Sequence, residues 1–230
     1  MQHKFTKTVV IALGGSIIYP NEIDTEYLKH FKKFVEKFLK RGTRFVIVIG
    51  GGRLARVFQA AANEVSPIAD EDKDWIGIHS TRLNAHLLRT IFRKVADPVV
   101  FDHRGKFEKL KYPVTIASGW RPGWSTDFVA AAIACDFEIP EFIVAGKPAF
   151  VYDKDPSVYK NAKSLPEMSW KNYRKLIPQK WTPGFHSPVD PVAAKLSHAE
   201  GLKAIVINGK DIKNFERLLT GKDFQGTIIS

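Results

Sequence analysis

The chain holds a single cysteine among 230 residues, Cys135, so no internal disulfide can form and no disulfide framework holds the fold. Cys135 sits in the apolar run AAIAC, which reads as a helix with the thiol as a small core side chain rather than a nucleophile. Ligands at metal-binding spacing are also lacking. His79 and His86 share a helix face two turns apart, but no third ligand accompanies them, and His186 and His198 read as packing or surface residues. No dedicated protein metal site is expected. No apolar run approaches the ~20 residues of a membrane span, and the opening MQHKFTK has no apolar leader core, so the sequence reads as cytoplasmic with no membrane partner. Neither G-x-G-x-x-G nor G-x-x-x-x-G-K-[ST] occurs, which argues against a dinucleotide-binding fold and a P-loop nucleotidase.

Positive charge is abundant: 35 Lys and Arg against 24 Asp and Glu give a net +11. That surplus suits phosphate-bearing ligands, nucleic acid or a membrane surface. No stretch is dense in basic residues with interleaved aromatics, so nucleic acid is not an expected partner. Lys29, Lys32, Lys33, Lys37 and Lys40 read as the solvated face of a helix whose other face is Tyr27, Leu28, Phe31, Phe34, Val35 and Phe38.

Short, continuous, β-branched runs recur at 9–13, 45–49, 114–117, 142–145 and 204–207, with helical patterns near 24–41, 53–65, 74–93, 126–137, 188–200 and 210–219. Strands buried on both faces and alternating with helices predict a mainly parallel sheet in an α/β three-layer α/β/α sandwich. Pro98–Phe101 and Gly226–Ile229 read as further strands, and Trp170, Tyr173 and Leu176 as one short helix in the irregular stretch 153–187.

Three glycine clusters follow strands: Gly14-Gly15-Ser16, the run GGGRLAR from Gly50 to Arg56, and SGWRPGWSTD from Ser118 to Asp127. In an open parallel sheet ligands bind at the carboxyl ends of the strands. Glycine admits close backbone approach, and helix N-termini favour anions. Arg56, in the first turns of its helix, has the bidentate geometry that grips phosphate, or is a plain surface arginine. Asp190 is placed to cap a helix, with a phosphate-side role as the rival reading.

These clusters, with DWIGIHSTRLNAHLL (74–88), PGWSTDFVAAAIA (122–134), VYDKDP (151–156), VDPVAAKL (189–196) and the terminal GTII, occur in the order found in the amino acid kinase superfamily. The chain resembles its uridylate (UMP) kinases of the archaeal type over essentially its whole length. The resemblance implies one domain over 1–230 with this fold. An acceptor lobe would cover about 1–138 and an ATP lobe about 139–230, with ATP and Mg²⁺ as cofactors and a homo-oligomer, dimer or hexamer, as the assembly.

Carried over by position, Gly51 would meet the UMP phosphate, and Gly52 and Arg56 would lie between acceptor and donor phosphates. Asp74 would hold the UMP ribose, its rival reading being an N-terminal helix charge. Gly119, Trp120, Arg121, Pro122, Gly123, Trp124, Ser125 and Thr126 would wrap the uridine and its phosphate, with Asp127 adjoining. Gly14, Gly15 and Ser16 would pass beneath the ATP phosphates. Gly146 and Lys147 would flank them, and Tyr152 and Asp155 would border adenine and ribose.

The stretch FIVAGKPAFVYDKDP departs from the family pattern. Where the family carries valine-aspartate-glycine, this chain has Pro148, Ala149 and Phe150, so the organising carboxylate is absent and an aromatic replaces the glycine. Ala12 stands where many superfamily members have lysine, though archaeal-type members often lack it. Trp120 and Trp124 are bulky for this loop and would either stack on a base or narrow the pocket. Phosphoryl transfer rests on positioning and electrostatic stabilisation, so Lys147 and Arg56 are the candidate catalytic cations. Three readings stand: an ATP-dependent nucleoside monophosphate kinase acting on UMP; a nucleotide-binding protein on the same scaffold that has lost catalysis; and a kinase for another small phosphate or carboxylate acceptor.

Overall fold

The computed structural model describes residues 2–180 and 187–230. In chain order the elements are β1 (Thr8–Leu13), α1 (Gly15–Ile18), α2 (Thr25–Leu39), β2 (Arg44–Ile49), α3 (Gly52–Val65), α4 (Asp70–Ile91), β3 (Val114–Ala117), α5 (Thr126–Asp136) and β4 (Glu141–Gly146). There follow β5 (Val151–Tyr152), β6 (Ser164–Leu165), β7 (Glu167–Met168), α6 (Trp170–Leu176), α7 (Pro191–Glu200), β8 (Lys203–Asn208), α8 (Ile212–Leu219) and β9 (Thr227–Ile229).

The main sheet runs β3-β2-β1-β4-β8-β9-β7, and all its pairings are parallel except β8 with β9. β5 and β6 form a separate antiparallel pair. The sequence expectation of a mainly parallel sheet between helical layers holds. Its central strands are apolar throughout because both faces are covered. One core lies between the sheet and α2, α4 and α8 and includes Phe31, Phe34, Leu88 and Phe215; the other lies against α5, α6 and α7 and includes Val129, Ile133, Trp170 and Tyr173.

Helix α2 buries the six residues read as its apolar side, and Asp24 caps it by accepting from the Tyr27 amide. Pro98–Phe101 is not a strand. Only a bridge from Phe101 to Ala117 forms, because the stretch is bent by the Asp97 carboxylate, which accepts from the Val99 amide, and Pro98 has no N–H to give. Helix α4 starts at Asp70, four residues earlier than its apolar pattern suggests. Asp70, Glu71 and Asp72 occupy its first turn, so Asp74 is not the N-terminal charge that its rival reading made it. Cys135 is half-buried against the second core, and burial pushes its thiol up, as suits a packing residue. Among the described residues no helix is long and apolar enough to cross a membrane.

Candidate functional site

The parallel order sends β1, β2, β3, β4 and β8 out at one end of the sheet, so their following loops meet there. Two of them interlock. A methyl group built on Gly15 would collide with the Gly50 carbonyl oxygen and come within 2.5 Å of the Gly52 nitrogen. Gly52 takes φ +62°, and a Cβ there would fall 2.6 Å from the Gly15 carbonyl oxygen. Glycine is therefore dictated at both positions by loop-to-loop contact. The close packing leaves the Gly15 and Ser16 amides without a backbone partner among the described residues. The first-turn amides of α3 likewise have no intrahelical acceptor. These N–H groups form an anion-seeking edge.

Beside that edge opens a cavity of about 530 Å³. It is lined by Gly14 and Ser16 from β1–α1, Arg56 from α3, Asp127 from α5 and Gly146-Lys147-Pro148 after β4. Arg56 and Lys147 are exposed, each bringing a cation to the same opening from a different lobe of the sheet. Tyr152 and Asp155 do not line it. Asp155 instead closes its own turn by accepting from the Ser157 amide at 2.8 Å and hydroxyl at 2.6 Å, which hold its carboxyl below the usual range. Ala149 and Phe150 also stay off the cavity wall, Phe150 meeting Tyr152 edge-on at 6.3 Å.

Helix α4 organises the acceptor-side residues. Asn84 Nδ2 donates to the carbonyls of Gly50 (2.8 Å) and Gly51 (3.2 Å). Thr81 Oγ1 accepts from the Gly119 amide at 2.7 Å, and Asp74 Oδ2 from the Gly123 amide at 2.8 Å. Positions 74, 81 and 84 share a helix face, so one helix fixes two glycine loops. Gly123 takes φ +80°, which lets the loop turn its amide toward Asp74. Burial pushes the Asp74 carboxyl up, and repulsion from Asp70 and Glu71 adds to this, while the Gly123 amide opposes it. Thr81 and Asn84 were missed from the sequence. Their signal was polar side chains on the apolar side of an amphipathic helix, and both are buried, at 6% and 5% exposure.

The loop after β3 divides its aromatics. Trp120 is 5% exposed, gives its indole N–H to the Phe101 carbonyl and packs 5.3 Å from that ring. Of the two readings of Trp120, stacking on a base or narrowing the pocket, the buried ring does not support stacking: the side chain completes the core. Trp124 is half-buried against Phe128, and the Arg121 guanidinium lies 4.1 Å over its ring. That stack holds an exposed cation in a set position. Pro122 and Arg121 form the turn that Trp124 closes through its amide to the Arg121 carbonyl at 3.2 Å.

Ser125 caps α5 by accepting from the Phe128 amide, and its hydroxyl donates to Asp190. Asp190 in turn caps α7 through the Val192 and Ala193 amides, at 2.8 and 3.1 Å, which bears out its capping reading. Asp127 stands beside Thr126 at the head of α5, where the Asp190 amide acts to lower its carboxyl. Burial raises both carboxyls above the usual range, and the Asp190 charge raises Asp127 further. His79 and His86 are exposed, and His198 sits 3.2 Å from Arg174. His186 lies outside the described residues.

A parallel sheet with glycine-lined loops, amide-rich helix starts and two converging cations defines a site for phosphate-bearing ligands. The chain belongs to the amino acid kinase family, whose model matches residues 7–208. Within curated proteins it is similar to the uridylate kinases of Hyperthermus butylicus, 31% identical over 96% of this chain and 97% of that one, and of Thermococcus sibiricus, 33% identical over 96% and 98%. Among solved structures it resembles the uridylate kinase from Archaeoglobus fulgidus, with a TM-score of 0.82 and 31% identity over 98% of this chain and 100% of the other. The UMP kinase from Bacillus anthracis, at 21% identity and a TM-score of 0.77, shares the fold.

Proposed function

We propose that the protein is an ATP-dependent kinase that phosphorylates UMP to UDP. The observation that carries this reading is the cavity at the carboxyl ends of the strands, where Arg56 and Lys147 meet beside the amides of the β1 and β2 loops, in a chain aligned end to end with uridylate kinases. The chain acts as one domain over 1–230, with residues up to about 138 serving the acceptor and those from about 139 serving ATP.

On the acceptor side, Gly51 and Arg56 bind the UMP phosphate and Asp74 the ribose. The loop from Gly119 through Thr126 encloses the nucleotide, with Arg121 held by Trp124 as a further phosphate-facing cation. On the donor side, Gly14, Gly15, Ser16 and Gly52 present amides to the ATP phosphates, Gly146 and Lys147 flank them, and Tyr152 and Asp155 border the adenosine. Lys147 and Arg56 neutralise charge on the phosphoryl group in transfer, which is the main work left to the protein in such a reaction.

Mg²⁺ would enter with ATP and supply positive charge against its phosphates. Among the described residues no group of three or more His, Cys, Asp or Glu is placed to hold a metal. Asp127 is the carboxylate lining the cavity, a donor set suited to an ion that keeps phosphate and water as most of its ligands. UMP and ATP are the small-molecule partners, and the working form is a homo-oligomer in the cytoplasm.

The test is calorimetric titration with UMP and with ATP–Mg²⁺, followed by a phosphate-transfer assay on the same sample. Binding of both with turnover is expected. Binding without turnover would show that Ala149 and Phe150 have ended catalysis, and no UMP binding would move the acceptor to another small molecule.

A further inference from the structure

Tyr173, in α6, is fully buried, yet its hydroxyl makes two bonds to one residue. It donates to the Val189 carbonyl at 2.6 Å and accepts from the Val189 amide at 2.7 Å. Val189 is equally buried and stands just ahead of α7, outside any helix or strand. Neither of its backbone groups has a backbone partner among the described residues. A phenylalanine would fill the same core space but would leave the Val189 amide sequestered and unpaired, which native interiors rarely tolerate.

The clamped residue separates two functional stretches. Before it, Ser187 and Pro188 line the cavity together with Gly146, Lys147 and Pro148. The Ser187 hydroxyl also donates to the Val189 carbonyl, at 2.8 Å, which ties that wall to the clamp. After it, Asp190 accepts from the Ser125 hydroxyl and from the amides of Val192 and Ala193, joining the starts of α5 and α7. The base of the clamp is itself pinned. The Trp170 indole N–H donates to the Leu202 carbonyl at 2.7 Å, the Trp170 amide to the Ser230 carbonyl at 3.1 Å, and the rings of Trp170 and Tyr173 meet edge-on at 5.8 Å. Burial pushes the Tyr173 hydroxyl up and the charges of Asp127 and Asp190 add to this, against the opposing bond to Val189, so the group keeps its proton and continues to donate.

We propose that Tyr173 is a positioning residue for the donor side of the site. Its hydroxyl sets the wall of Ser187 and Pro188 against the loop of Gly146 to Pro148, and so fixes the room left for the ATP phosphates. Small misplacements of such a wall are costly in a reaction that depends on alignment. The acceptor loop is held separately, through Gly119 and Gly123, by Thr81 and Asp74 of α4, so the effect falls on the donor. This assignment rests on the kinase reading.

Tyr173→Phe removes the hydroxyl and keeps the buried ring. Asn214→Ala is the control, because Asn214 makes the same two-way clamp, donating to the Gln225 carbonyl at 2.7 Å and accepting from its amide at 2.8 Å, at a buried place that does not line the cavity. Steady-state kinetics on the whole chain, run below the melting temperature of each protein, separates positioning from stability. In Tyr173→Phe the ATP KM should rise several-fold and kcat fall, with the UMP KM unchanged. Asn214→Ala should melt lower and keep all three constants. Should Tyr173→Phe yield no folded protein, Ser187→Ala, at a half-buried position, loosens the same wall and should give the same split. Unaltered constants, equal changes in the two KM values, or the same change in Asn214→Ala would overturn the proposal. A wild type that transfers no phosphate would count against the kinase reading, and calorimetric titration with ATP–Mg²⁺ then decides the assignment. Weaker binding in Tyr173→Phe alone would sustain it; equal affinities, or no binding by any of the proteins, would overturn it.

Discussion

Asp127, half-buried on the cavity wall, and Asp190, buried behind it, bring two mutually repelling carboxyls together where α5 and α7 begin. Both carboxyls are raised above their usual 3.8 by burial, and for Asp127 the nearby Asp190 charge adds to it. An acid raised in the folded state holds its proton more tightly there than in the unfolded chain. The stability it contributes is complete below the unfolded value and is lost as pH rises through the folded one. Asp127→Asn keeps the size and shape of the side chain and removes the repulsion. Its melting temperature should exceed wild type by about 2–4 °C at pH 8, the response of a chain this size to roughly 1 kcal/mol, and the gap should close near pH 4. Scanning calorimetry across that range checks it; a variant less stable at pH 8 would show that the ionised pair is held by something stronger than burial opposes.

Gly15→Ala and Gly77→Ala should differ in sign. At Gly15 the added methyl meets backbone that cannot move without separating the β1 and β2 loops. At Gly77, inside α4, the nearest atom is Gln59 Nε2 at 3.6 Å, an ordinary contact. The first should abolish soluble folded protein or nucleotide binding. The second should stabilise by about 0.5–1 kcal/mol, the usual gain of alanine over glycine in a helix. Denaturant titration separates the two.

Asn84→Ala removes the donor that satisfies two carbonyls of the glycine loop while leaving them sequestered. A loss of about 1–3 kcal/mol is expected. It should be accompanied by weaker UMP binding, since Gly51 is released. Calorimetry showing the stability loss with UMP affinity intact would detach this loop from the acceptor site.

Asp74→Ala frees the Gly123 amide and with it the loop from Gly119 to Thr126. UMP affinity should fall and ATP affinity stay as it was. Equal loss of both would make Asp74 a general structural anchor.

Lys147→Ala should lower turnover by about 10²–10³-fold, the usual effect of one electrostatic contact to a reacting centre, with UMP dissociation nearly unchanged. Single-turnover phosphate transfer measures the first and calorimetry the second. An unaltered rate would remove Lys147 from the mechanism.

The parallel sheet was legible because strands such as FVIVI are apolar at every position, a pattern that a strand covered on one side does not show. The glycine clusters were legible as loops, but their reason was only half seen. Gly15 and Gly52 are small because they touch each other's loops, a fact of packing between segments far apart in sequence. The same distance hid the part played by α4. Thr81 and Asn84 are ordinary helix residues until Gly119 and Gly50 are brought against them. Trp120 misled for the opposite reason: its place in a ligand-type loop suggested stacking, while Phe101, nineteen residues earlier, had room for its ring and an acceptor for its N–H. Pro98–Phe101 looked like a strand by composition, and the side chain of Asp97 decided otherwise.

The interlocked loops of Gly15 and Gly52 carry a last consequence. Because bare backbone meets bare backbone, the spacing between the amides of one loop and those of the next is set by atomic radii alone. No side chain enters that contact between Gly15 and Gly52. The site thus contains a fixed gauge, against which neighbouring residues are free to vary as substrates and partners demand.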